Sequence, residues 1–138
     1  MSSALLSGLS RTAEPVASLR RFLALDAVVT GANGLVYAAL SGPVAELLGV
    51  GRGLVLGIGV FLLLYAADVA WLATRREPSA FLTKLVIEAN YAWAVLSVVA
   101  LFAWFDATAV GTFWIPAQAA VVAGFAVVQQ MALKATGR

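Results

Sequence analysis

Four long apolar runs dominate this chain, at residues 22–40, 54–73, 82–104 and 113–133. Each is close to the roughly 20 residues an α-helix needs to cross a hydrocarbon core about 30 Å thick. Inside such a core the backbone must satisfy its own hydrogen bonds, which helices do segment by segment. The runs therefore predict an all-α, polytopic membrane bundle of four transmembrane helices. Composition agrees: 62% of the 138 residues are hydrophobic and 12% are charged, against nearer half and a quarter in soluble domains. Residues 1–19, rich in Ser and Ala, read as a short cytoplasmic tail, and residues 20–138 as one transmembrane domain. A cleaved signal peptide is the rival reading of the start, but Asp26 and Asn33 interrupt the apolar segment it would need.

The breaks between runs follow from local chemistry. Ser41, Gly42 and Pro43 close the first run, because proline disfavours helix at the residue before it. Pro116 is expected in the first turn of the fourth span, where a missing N–H matters least.

There is no His and no Cys, which excludes disulfides, thiolate or imidazole metal sites and His- or Cys-based triads. No catalytic residue, metal site or cofactor is expected. The net charge of +2 with no basic run excludes a nucleic-acid surface.

Polar residues inside the runs carry the remaining information. Asp26, Thr30, Asn33 and Tyr37 fall at i, i+4, i+7 and i+11, one face of the first helix. A polar stripe must face protein or water rather than lipid. Gln118, Val122, Phe125 and Gln129 repeat that spacing on the fourth span, so the two stripes are expected to meet, with Gln129 near Asp26 and Gln118 near Tyr37. Asp26, Asp68 and Glu88 lie roughly 6–11 Å from the basic rim at about 1.5 Å rise per residue. This depth predicts one carboxylate layer facing the bundle interior or a water-filled vestibule, with Asn33, Asn90, Gln129 and Gln130 as polar partners and candidate ion or proton ligands. The competing reading makes the same groups interhelical glue, worth on average about 0.6 kcal/mol each. Gly53 and Gly57, and Gly31 and Gly34, are candidate close contacts between helices.

The two halves resemble each other. A shift of 62 residues places Asp26-Ala27 on Glu88-Ala89 and Asp68 on Gln130, which suggests two repeated helical hairpins. The segments LRRFLALDAVVTGANGLVY and AQAAVVAGFAVVQQ resemble small four-helix integral membrane proteins of high-GC actinobacteria. That resemblance implies a bacterial membrane protein of the same architecture and no particular activity.

Two function classes remain. One is a small transporter or channel-like protein with its carboxylate cluster in the cytoplasmic half of the membrane. The other is a non-catalytic scaffold or accessory subunit that stabilises a partner complex. An enzyme using carboxylates on a lipid-soluble substrate ranks third. The expected partners are the bilayer, a second copy or another membrane protein.

Arg11, Arg20, Arg21, Arg75, Arg76, Lys84, Lys134 and Arg138 flank one end of the runs, and only Arg52 the other. The positive-inside rule then predicts a multi-pass protein of the cell membrane with both termini cytoplasmic. An impermeant thiol reagent applied to intact cells should label Ala107→Cys and spare Ser79→Cys. The reverse pattern would invert the topology.

Overall fold

The computed structural model describes the backbone of residues 3–137 and the side chains of residues 14–137. Five helices form in order: α1 (Ser3–Ala39), α2 (Ser41–Leu48), α3 (Arg52–Thr74), α4 (Ala80–Ala103) and α5 (Ala109–Ala135). Four segments are long and apolar enough to cross a membrane, namely Glu14–Ala39 within α1 and the whole of α3, α4 and α5. The chain is thus a helical bundle of the integral membrane class. The start of the Glu14–Ala39 segment, the end of α5 and the α3–α4 turn lie at one end, called here the termini end. Helix α2 and the α4–α5 turn mark the opposite, α2 end.

Three boundaries differ from the sequence expectation. Helix α1 starts at Ser3 rather than near residue 22, with Pro15 inside it. Leu19 and Leu23 are fully buried in the core with Val69, Leu72, Ala126 and Leu133, so the end of the expected tail belongs to the bundle. The 41–48 segment is a helix, because Pro43 falls in its first turn, where no amide is needed. Ser41, Ala45 and Leu48 form its buried face. Helix α5 begins at Ala109, which puts Pro116 inside it rather than in its first turn.

The α2 end is fastened by reciprocal capping. Gly49, at φ 77°, ends α2 in the left-handed conformation open to glycine. The Thr108 amide then donates to the Leu48 carbonyl at 3.1 Å, and its hydroxyl donates to the Leu47 carbonyl. That hydroxyl also accepts from the Gly111 amide at 3.1 Å. One residue thereby serves the last carbonyls of α2 and the first turn of α5, two sets of backbone groups that helices leave unpaired.

Helix α1 packs along α3 and also against α5, while α5 packs on α4. Helices α3 and α4, adjacent in sequence, barely touch. Across the bundle the order is therefore α3, α1, α5, α4, with a seam between the outer two. The α1–α3 approach is set by Gly34 and Gly59: a Cβ on Gly59 would lie 2.5 Å from the Ala38 nitrogen, and one on Gly34 2.9 Å from the Leu63 nitrogen. Gly31 sits against Ala66 at ordinary contact distance. Gly53 and Gly57 make no close helix contact within the chain, since a Cβ on either meets nothing within 4 Å. Helix α3 is rotated so that Gly59 meets α1, which leaves this pair on the open side.

Gly59→Val should destabilise the protein by about 1–3 kcal/mol, the usual range for overpacking, whereas Gly57→Val should be near neutral. Reversible unfolding of both variants in mixed micelles checks this contrast.

Candidate functional site

Asp26 is the centre of the polar interior. It is 2% exposed, with Asn90 at 4% and Gln129 at 0%. Helix α1 positions Asp26, α4 positions Asn90 and α5 positions Gln129. The Asn90 Nδ2 donates to Asp26 Oδ2 at 2.9 Å and to Gln129 Oε1 at 3.0 Å. Gln129 Nε2 donates to Asp26 Oδ2 at 2.8 Å. Thr30 Oγ1, one turn further along α1, donates to Asp26 Oδ1 at 2.8 Å. Tyr65 of α3 completes the set, its hydroxyl donating to Asn90 Oδ1 at 3.1 Å and to the Val86 carbonyl at 3.2 Å.

The directions are mutually consistent. Every group touching Asp26 is a donor, the pattern a carboxylate anion accepts. Among the described residues no Lys or Arg pairs with it, and no buried side-chain N or O lacks a partner. All four membrane helices contribute to one network, so each satisfies polar groups that none could satisfy alone.

The other sequence candidates divide. Gln130 bonds to the Tyr91 hydroxyl at 3.1 Å, beside the network and not in it. Gln118 accepts from Trp93 Nε1 at 2.9 Å and lines one pocket with Tyr37, without a hydrogen bond between them. Tyr37 instead accepts from Trp114 Nε1 at 2.6 Å. The three acids do not meet in one cluster. Asp68 and Glu88 are exposed, on α3 and α4, and Asp68 lines the pocket between those two helices, apart from the Asp26 network. Helix rotation decides a side chain's direction, and depth along the axis says nothing about it. No group of three or more acidic residues among the described residues could hold a metal ion.

The 62-residue shift fares no better, since it pairs buried Asp26 with exposed Glu88. A shift of 64 residues carries Asp26 onto Asn90. The same shift carries Tyr65 onto Gln129 and exchanges the Tyr65–Asn90 bond with the Gln129–Asp26 bond.

Directly above the network, toward the α2 end, lies a cavity of about 260 Å³ lined by residues of all four spans, among them Thr30, Asn33, Phe61, Tyr65, Trp93 and Gln118. Phe61 stacks with Trp93 across the seam at 6.3 Å and with Tyr65 at 6.1 Å. Among the described residues Asn33 makes no hydrogen bond, so its carboxamide faces the cavity with donors and acceptor free. A second, more apolar pocket of about 370 Å³ shares Trp93, Leu96 and Gln118 with the first and continues to Trp104 and Phe105 at the α2 end. Below the network Leu19, Leu23 and Leu133 are packed in the core, and a third pocket of about 360 Å³ lies between α3 and α4, lined by Tyr65, Asp68, Val69, Leu72, Leu82 and Leu85 among others.

Tyr65 and Phe61 were not anticipated; the only signal was a hydroxyl and a ring within an apolar run. No known protein family, curated protein or solved structure matches this chain.

Asn90→Leu strips partners from Asp26, Gln129 and Tyr65 together. It should lower stability by about 1–3 kcal/mol, the range for a buried polar group left unpaired. Asn33→Leu, which breaks no bond, should leave stability unchanged or raised. Unfolding in micelles compares the two.

Proposed function

We propose that the protein is a small membrane transporter that holds its substrate at mid-membrane between α3 and α4. The observation that carries this reading is a cavity that stops on a hydrogen-bonded carboxylate: it opens toward the α2 end, and on the other side of the network a separate groove of about 360 Å³ lies between α3 and α4, beside the leucine core. A channel needs a continuous wet path, and the plug of Leu19, Leu23 and Leu133 opposes one. A carrier needs a site reached from one side at a time, with a group beneath it whose bonding can change. Asp26 is that group. Its partners sit on three other helices, so any rearrangement of those helices alters its hydrogen bonds. Buried ionisable residues in membrane spans commonly mark such sites. With the positive-inside orientation, the open side faces outward and the plug faces the cytoplasm.

A second reading, an accessory subunit, draws support from Asp68 and Glu88. Exposed acids within spans are costly in lipid, and a basic residue on a partner helix would relieve that cost.

Spin labels at Arg76→Cys and Ala135→Cys, at the termini end, separate the two readings in nanodiscs. The transport reading expects two distance populations, with their ratio altered at least threefold by Asp26→Asn. A single narrow distance, unmoved by Asp26→Asn, would rule out the carrier and favour the accessory subunit.

A further inference from the structure

We propose that the cavity binds a neutral, carbonyl-bearing aromatic molecule of about two fused rings, with a hydrocarbon tail lying in the adjoining pocket; a prenylated quinone is the type. This inference rests on the reading of the cavity as a substrate site and names its ligand class.

Charge comes first. No Asp, Glu, Lys or Arg lines the cavity. The one nearby charge, Asp26, lies behind Thr30 and Asn90, with its oxygens engaged by Thr30, Asn90 and Gln129. An anion would find no cation here, and a cation would meet a carboxylate already shielded by amide donors. A neutral ligand suffers neither penalty.

Size comes next. An apolar cavity of about 150 Å³ binds benzene, so about 260 Å³ suits a ligand of roughly two rings. Shape agrees. Phe61 and Trp93 lie nearly parallel, at 15°, and Phe61 and Tyr65 at 21°. These three rings make a wall on which a planar ring packs by offset stacking.

Polarity then fixes the functional group. The Asn33 carboxamide is free, and mid-membrane it has no water to bond with. Its Nδ2 donates to a ligand carbonyl, or its Oδ1 accepts from a ligand hydroxyl, so the oxidised and reduced forms of one ring system both fit. The Tyr65 and Thr30 hydroxyls donate within the protein and keep lone pairs for the same ligand. The tail is placed by continuity. The 370 Å³ pocket meets the cavity at Trp93 and Leu96 and is lined by Leu54, Ile58 and Ala100. The seam between α3 and α4 gives the ligand a lateral way in from the bilayer, where such molecules reside.

The test is titration of the protein in nanodiscs with 2-methyl-1,4-naphthoquinone carrying a short isoprenoid tail, read by quenching of tryptophan fluorescence. Saturable quenching is expected, most of it lost in Trp93→Phe. Affinity should fall at least tenfold in Asn33→Leu, which removes the free amide, and in Ala89→Phe, which fills the cavity. Both variants should keep the wild-type melting temperature; if Ala89→Phe does not, Asn33→Leu alone decides. Tetraphenylphosphonium and palmitate should fail to compete. Equal affinity in Asn33→Leu, or displacement by the phosphonium cation, would overturn the neutral-ligand assignment. Non-saturable quenching overturns the inference while leaving the transport reading to the spin-label distances. Tight binding with a single spin-label distance sinks the carrier and leaves the ligand assignment standing.

Discussion

A carboxylate held inside a hydrocarbon slab must be hydrogen-bonded, and Asp26 cannot obtain enough bonds from its own helix. Thr30 supplies one donor from α1, and the others come from Asn90 on α4 and Gln129 on α5. Lipid offers no hydrophobic reason for two helices to associate, so packing and polar contacts must do so. In this bundle they divide the work. Gly34 and Gly59 let α1 and α3 approach backbone to backbone, while the Asp26 network draws in α4 and α5. Tyr65, reaching Asn90 from α3, is what spans the otherwise open seam at this level.

That division explains why the cavity lies where it does. Close packing of α1 on α3 leaves α4 to be held through side chains of some length: Asn90, Tyr91 and Trp93, bonded to Gln129, Gln130 and Gln118 on α5. Helices held at that spacing leave room between them. Beneath the network leucines and valines pack the centre and leave a groove between α3 and α4, and above it Phe61 and Trp93 pack less completely. The cavity is the unfilled part of the bundle on the α2 side of the Asp26 network.

The sequence was informative where spacing carried a direction. The stripe Asp26–Thr30–Asn33–Tyr37 has a face, and so does Gln118–Gln129; the Asp26–Gln129 pairing follows from the two together. Four membrane helices followed from length and hydropathy. The directions of Asp68 and Glu88 were not legible because α3 and α4 are apolar on nearly every face, and such helices carry little signal for rotation about their axes. The same ambiguity hid Gly59, which is no more conspicuous in the chain than Gly53 or Gly57. Thr108, which ties α2 to α5, was hidden for another reason: its role needs the 41–48 segment to be helical, and Pro43 reads equally well as a turn.

The account stands on the claim that Asp26 and Asn90 act as one unit joining α1 to α4. A double-mutant cycle of Asp26→Leu and Asn90→Leu, measured by unfolding in mixed micelles, tests that directly. Side chains within one hydrogen-bond network couple by roughly 0.5–3 kcal/mol, and a coupling in that range is predicted. Additivity to within about 0.3 kcal/mol would mean that the two residues contribute independently, and would contradict the account.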